Sequence, residues 1–282
     1  MGGCLVVVPT YQEARNIRVV LAGIRAATDA SVVVVDDNSP DGTAEAARRA
    51  GEALGGVTVL GRAAKAGLGS AYREGFAWGL DRGYDVLVEM DADLSHDPAD
   101  LPRLVGALGR GVEVAIGSRY LTAGSLPDWS IHRKALSTLG NRYAGALLGL
   151  GVKDATSGFR AYAAGLLRRL DLGGVRAEGY AFQVEMTRLA RRAGAQIVEV
   201  PIRFVDRSRG RSKMSARIVA EALVLVTWWG VRDRWAPPAP GTRPGVPGGL
   251  MGVPDLSGGL PPGDHLGPVV GLRPPTTPAG RR

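Results

Sequence analysis

Five short runs of β-branched and aliphatic residues, each followed by a stretch with apolar residues at helical spacing, constrain this chain more than any other feature. The runs are CLVVV (4–8), SVVVV (31–35), VTVL (57–60), DVLVEM (85–90) and VEVAI (112–116). They lack the polar alternation of a half-exposed sheet, so they read as strands buried on both faces. Between them lie NIRVVLAGIRAAT (16–28), TAEAARRAG (43–51), SAYREGFAWGLDRG (70–83) and PADLPRLVGALGRG (98–111). Gly51, Gly83 and Gly111 are the expected helix stops. The alternation predicts an α/β fold, a mostly parallel sheet flanked by helices on both faces. Such sheets bind ligands beyond the carboxyl ends of their strands.

All five strand ends carry polar or glycine-rich segments: Pro9 to Glu13, Asp36 to Gly42, Gly61 to Gly69, Asp91-Ala92-Asp93 and Ser118-Arg119-Tyr120. They belong to one site. In VEMDADLSHDP (88–98) two carboxylates stand one residue apart, and they repel unless a cation or hydrogen bonds hold them. One reading makes them caps for the helix near Pro98. Asp97-Pro98 already supplies a cap and a first helical residue, which leaves the earlier pair without a structural task. In the other reading Asp93 ligates Mg²⁺ or Mn²⁺ bridging a nucleotide diphosphate, and Asp91 holds the ribose, the sugar or an outer-shell water. Ser95 and His96 are candidates to complete that shell, although a lone histidine is more often polar surface. Asp36-Asp37 reads either as turn residues or, at Asp37, as a hydrogen-bond partner of a base or ribose. Lys65-Ala66-Gly67-Leu68-Gly69-Ser70 reads either as a tight turn or as a phosphate cradle. With no GxGxxG and no Walker lysine motif, dinucleotide oxidoreductases and P-loop NTPases lose ground.

A net charge of +8 asks for an anionic partner. The arginines sit among the strand-end motifs rather than along an aromatic-interleaved face, which disfavours nucleic acid. A single cysteine, Cys4, excludes an intrachain disulfide and reads as a small buried hydrophobe. No signal peptide is visible at the N-terminus, so the cytoplasm is the default location. From Ala236 to Arg282, 12 Pro and 11 Gly in 47 residues predict a disordered Pro/Gly-rich tail.

VVVPTYQEARNI, VVVVDDNSPDGT, KAGLGSAYREG, VEMDADLSHDP, IGSRY, DATSGFRAY, EGYAFQVEM and EVPIRFVDRSRGRSKM together resemble, in order and spacing, the dolichol- or polyprenol-phosphate mannosyltransferases of glycosyltransferase family 2. The resemblance spans roughly residues 4 to 230 and implies a Rossmann-like GT-A domain over residues 1–235. It implies inverting transfer of mannose from GDP-mannose to a polyprenyl monophosphate. By matching position, Pro9, Tyr11, Glu13, Val35 and Asp37 would contact the guanosine part. Asp91, Ala92 and Asp93 would bind sugar nucleotide and metal, with Ser95 where some relatives have a Gln ligand. Arg119, Arg207 and Lys213 would surround the phosphates, and Arg133 would meet the acceptor phosphate. Enzyme rivals use UDP-glucose or UDP-GlcNAc with the same lipid. A rival of another class is a silent nucleotide-sugar-binding partner that docks a membrane acyltransferase through the tail.

Other features bear on the acceptor. Transfer to a sugar hydroxyl needs a carboxylate base, whereas a phosphomonoester is already largely dianionic at neutral pH. EGYAFQVEM (178–186) has no Glu-Asp pair, which fits a lipid phosphate. The basic run Asp206 to Lys213 reads as a solvated loop or as a lid that closes over the diphosphate. In residues 220–235 the apolar stretch from Ala222 to Val231 is too short to span a bilayer. With Trp228, Trp229 and Trp235 beside arginines, the segment at about 215–235 reads as an interfacial helix at the inner face of the plasma membrane, or as a plain core helix. The helix expected near Ile131 to Leu150 is a second membrane-facing candidate.

Overall fold

The structure, a computed structural model, describes residues 3–122, 131–205 and 216–235, with backbone only for residues 131–133 and 216–220. Its elements run β1 (Cys4–Thr10), α1 (Ile17–Ala27), β2 (Ser31–Asp36), α2 (Thr43–Leu54), β3 (Val57–Gly61), α3 (Leu68–Asp81) and β4 (Val86–Glu89). They continue with α4 (Leu101–Gly106), β5 (Val112–Ser118), α5 (Ile131–Leu148), β6 (Arg160–Ala163), α6 (Ala164–Arg169), α7 (Gly179–Arg192), β7 (Gln196–Pro201) and α8 (Ala216–Trp235).

Seven strands form one sheet in the order β3-β2-β1-β4-β6-β5-β7. The α/β expectation holds, with one departure: β6 runs antiparallel to both β4 and β5. The first half winds outward from β1 through parallel pairs with β2 and β4, so their carboxyl ends lie side by side. Successive residues of a strand face opposite sides, and β1 shows it: Val6 and Val8 enter the layer under α1, while Leu5 and Val7 enter the layer under α3 and α7. Helix α1 buries Ile17, Val20, Leu21 and Ile24, the one-sided stripe that its periodicity predicts. In α3, Gly75 and Gly79 let the helix lie against β1: a Cβ at Gly79 would come within 2.6 Å of Leu5 Cδ2, and one at Gly75 would collide with Val7.

Several boundaries differ from those expected. α2 runs through Gly51 to Leu54, and Gly55 N–H returns to the Gly51 carbonyl. The segment 98–111 is a 3₁₀ turn at Pro98–Asp100 followed by a short α4, and Gly109 to Gly111 form a positive-φ turn into β5. β3 is partly exposed because it is a sheet edge, and Cys4 is only half-buried. Residues 236–282, read above as a tail, lie outside the described residues.

A polar island crosses the sheet below the site. Arg160 on β6 is fully buried opposite Glu89 on β4 and donates to the carbonyls of Ser157, Ala155 and Gln183 and to Thr187 Oγ1, at 2.6–2.9 Å. Glu89 is also fully buried; Gln183 and Tyr162 face its carboxylate, but neither completes a well-formed hydrogen bond. Burial outweighs the Arg160 charge and pushes its carboxyl up from 4.5 to about 7. Because the folded value is raised, this group's contribution is intact below pH 4.5 and is lost as pH rises through 7. The full swing is on the order of 3 kcal/mol. Glu89→Gln is therefore expected to flatten the loss of stability between pH 5 and 8, measured by urea unfolding at both pH values. An unchanged pH slope would show that Glu89 stays ionised in the core.

Candidate active site

Three non-glycine residues adopt left-handed backbone just beyond three neighbouring strands: Gln12 (φ 61°) after β1, Asn38 (φ 58°) after β2 and Leu94 (φ 65°) after β4. Such conformations cost energy and persist only where surrounding contacts fix them. Here Gln12 N–H donates to Ser39 Oγ (3.0 Å), Asn38 Nδ2 donates to the Ala63 carbonyl (3.2 Å) and Ser95 N–H donates to Asp93 Oδ1 (3.0 Å). The chain turns sharply at each end and leaves a cleft of about 370 Å³ above the strands, within the range of a small-molecule site.

The cleft brings together Pro9, Tyr11, Glu13, Asp37, Asp91, Ala92, Asp93 and Arg119 from four strand ends. Val35 is fully buried, its side chain in the core layer under α3. Ser95 is buried beside Asp93. The backbone of Arg133 is the third residue of α5, and its side chain, like Arg207 and Lys213, lies outside the described residues. His96 is not surface: it is buried between Phe159 and Phe204, its ring 5.1 and 5.3 Å from theirs, with Nε2 3.8 Å from Asp91 Oδ2.

The two aspartates after β2 divide their tasks. Asp36 accepts from Thr10 Oγ1 (2.9 Å), Ser39 Oγ (2.7 Å) and Ser39 N–H (2.9 Å), which ties β1 to the β2 turn. Asp37 accepts from the N–H groups of Ala66 and Gly67, both at 2.9 Å, and from Arg62 at 2.8 Å. The next amides, Gly69 and Ser70, donate to the Glu178 carboxylate at 2.8 and 3.2 Å. Protein carboxylates thus occupy the backbone donors that a phosphate cradle at Lys65–Ser70 would have offered. The segment is a structural loop, with Glu178 reaching across from the start of α7. Lys65 instead lies over the Tyr11 ring, 3.8 Å from its centre.

Arg119 at the end of β5 is buried and paired with Asp154 in a two-pronged geometry, Nε and Nη2 each 2.7 Å from a carboxylate oxygen. Its own N–H donates to Asp154 at 3.0 Å, and Nη2 also donates to Thr156 Oγ1 at 2.8 Å. Burial would raise the Asp154 carboxyl, but the Arg119 charge and hydrogen bonds hold it below the usual range; in return Asp154 keeps the guanidinium charged against its own desolvation. Behind them, Glu199 accepts from the Lys153 and Asp154 amides at 2.8 and 2.9 Å. Sequence reasoning missed Asp154, Glu178 and Tyr72, whose hydroxyl donates to Asp91 at 3.0 Å. All three stood inside quoted motifs, but their partners lie far off in sequence.

The residues around Asp93 fit a hard divalent cation. Asp91 and Asp93 offer carboxylate oxygens at one wall, and Ser95 Oγ is a buried hydroxyl with no hydrogen-bond partner. Oxygen donors of this kind suit Mg²⁺ or Mn²⁺. Among the described residues no group of three or more His, Cys, Asp or Glu could hold a metal ion. A cation here would therefore take its remaining ligands from bound phosphate and water.

The sheet, flanked by helices and with its cleft at the carboxyl edge, matches a GT-A fold. Residues 5–171 match the model of the glycosyl transferase family 2, and the chain belongs to that family. It is 49% identical over 232 residues to an undecaprenyl-phosphate mannosyltransferase of Micrococcus luteus, covering 82% of this chain and 95% of that protein. It is 46% identical to a polyprenol monophosphomannose synthase of Mycolicibacterium smegmatis, covering 82% and 88%. Among solved structures it resembles glucosyl-3-phosphoglycerate synthase from Mycobacterium tuberculosis in complex with Mn²⁺, UDP-glucose and phosphoglyceric acid, at 21% identity, 80% coverage of each chain and a TM-score of 0.59.

Removing one partner of the Arg119–Asp154 pair strands a buried charge. Asp154→Ala is expected to cost roughly 3–5 kcal/mol of folding stability, read from chemical denaturation. A loss under 1 kcal/mol would mean that water screens the pair.

Proposed function

We propose that this glycosyltransferase transfers mannose from GDP-mannose to a polyprenyl monophosphate, with inversion at the anomeric carbon. The observation that carries the reading is the 49% identity, over nearly the whole of the Micrococcus luteus relative, to a protein named for mannosyl transfer to undecaprenyl phosphate. The site chemistry supports it. Pro9, Tyr11 and Glu13 form the nucleoside side of the cleft, and Asp37 fixes the loop beside them. Asp91 orients the ribose or the sugar. Asp93 and Ser95 would hold Mg²⁺ or Mn²⁺, which when bound neutralises charge on the diphosphate leaving group. Arg119, paired with Asp154, lines the same cleft, and Arg207 and Lys213, which lie outside the described residues, would add further cations around the phosphates. Arg133 receives the lipid phosphate, whose oxygen attacks in line.

The acceptor assignment has independent support at the start of α7. Glu178 is engaged by the Gly69 and Ser70 amides, and Glu185 by the Arg176 and Ala177 amides at 3.3 and 3.1 Å. Both carboxylates serve the fold, which suits an acceptor that arrives already ionised.

The acceptor also requires a membrane. Helices α5 and α8 pack through Leu147, Val226 and Trp229, and Tyr143 bonds Thr227 at 2.7 Å. Trp229 therefore belongs to the interior rather than to the interfacial set. Leu136, Leu139, Val224, Trp228, Val231 and Trp235 are exposed on the same pair, beside exposed Arg142, Arg232 and Arg234. Among the described residues no helix is long and apolar enough to cross a membrane. We assign this face to peripheral contact with the inner leaflet of the plasma membrane. In this proposal residues 1–235 are the catalytic unit, and the segment 236–282 serves, if anything, a membrane-protein partner.

The test is purified full-length protein with GDP-mannose, UDP-glucose or UDP-GlcNAc, a polyprenyl phosphate and Mg²⁺ or Mn²⁺. Lipid-linked mannose from GDP-mannose alone is expected. Product from a UDP-sugar would move the donor assignment, and nucleotide binding without transfer would make the chain a silent partner. Asp93→Ala is expected to lower kcat/KM on the order of a hundredfold or more, while the protein still folds with a modestly lowered melting temperature, because the Ser95 N–H loses its partner. Near-normal turnover at limiting metal would remove Asp93 from the metal site.

A further inference from the structure

Asp91 is the acidic residue of the pair that is more open to solvent, its side chain about a quarter exposed. A short, exposed carboxylate at a strand end swings between rotamers unless something fixes it. Two features bear on it. On one side the Tyr72 hydroxyl donates to Oδ1 at 3.0 Å. On the other, Gly158 leaves room for this rotamer, since a Cβ there would stand 3.1 Å from Oδ2.

Tyr72 is an unusually rigid donor. It sits in the second turn of α3, fully buried, with its ring stacked between Phe76 (centres 6.1 Å apart) and Phe182 (5.8 Å, planes 8° apart). α3 in turn is pinned to β1 at Gly75 and Gly79 and clamped at its start by Glu178. Burial and then the Asp91 and Glu89 charges hold the phenol well above its ordinary range, so it stays a donor at any working pH. An aromatic residue at this depth could serve packing without a hydroxyl; the hydroxyl has one acceptor, and it is the site carboxylate.

We propose that Tyr72 is a positioning residue that, together with the missing side chain at Gly158, sets the rotamer of Asp91 for binding the donor. The inference rests on the proposed donor site and deepens it. Tyr72 touches no substrate in this scheme. It acts through Asp91, so its loss weakens donor binding while the reaction of bound substrate proceeds. A hydrogen bond to a charged group has the strength for a change of about tenfold.

The experiment uses the full chain and four variants: Tyr72→Phe, Gly158→Ala, Asp91→Ala and the Tyr72→Phe/Asp91→Ala double substitution. Tyr72→Phe is expected to raise the KM for GDP-mannose about tenfold, leaving kcat, the KM for polyprenyl phosphate and the melting temperature nearly unchanged. Gly158→Ala, which presses on the carboxylate from the other side, is expected to give the same pattern. In calorimetry with GDP-mannose, the double variant is expected to bind no worse than Asp91→Ala alone. A donor KM within twofold of wild type in Tyr72→Phe would overturn the proposal. So would a loss spread equally over kcat, both KM values and stability, or a full further loss in the Asp91→Ala background. Absence of turnover and of GDP-mannose binding in the wild-type protein would instead sink the donor reading itself.

Discussion

The parallel register of β2, β1 and β4 is the constraint on which the rest depends. Thr10 lies opposite Asp36 on one side of β1, and Val7 opposite Glu89 on the other. β1 and β2 therefore end level, while β4 ends three residues lower, opposite Val7, and its continuation through Asp91 to Asp93 lines the same cleft as Pro9, Tyr11 and Asp37. The alternatives are poor: slipping one strand by a residue would send each of its side chains to the opposite layer, and the layers under α1 and under α3 and α7 are filled by different residues. Apolar burial thus fixes the position of polar groups that it does not itself contact.

Carboxylates do most of the remaining construction. Asp36, Asp37, Asp154, Glu178, Glu185 and Glu199 each accept from backbone amides, and several join segments distant in sequence. Such contacts satisfy loop donors that no ladder reaches. They also set the charge of the cleft. Asp154 offsets much of the Arg119 charge beside the cleft.

Much of this was legible in the sequence. The β-branched runs matched all five of their strands to within two residues, and the strand-end rule picked out Tyr11, Asp37, Asp91, Asp93 and Arg119, which line one cleft. β6 escaped because RAYA is four residues long with no alternation, and its antiparallel direction depends on where the chain returns. The Lys65–Ser70 segment stayed open between two readings because glycines before a helix look alike whether they cradle a phosphate or accommodate Glu178; the partner stands 109 positions from Gly69. His96 turned out buried, since its environment is made by Phe159 and Phe204 from other segments. Periodicity and turn chemistry are local signals. Side-chain partners across the sheet are not, and those are what orient the site.

The central claim is that a nucleoside diphosphate and its cation occupy the carboxyl edge of the sheet, between Asp93 and Arg119. Crystals grown with GDP and Mn²⁺, measured for the anomalous scattering of manganese, test it most directly. The account predicts one strong peak at bonding distance from the Asp93 carboxylate, with the diphosphate between that peak and the Arg119 wall. A nucleotide bound with no manganese at Asp93, or seated at the start of α3 with Glu178 displaced, would contradict it.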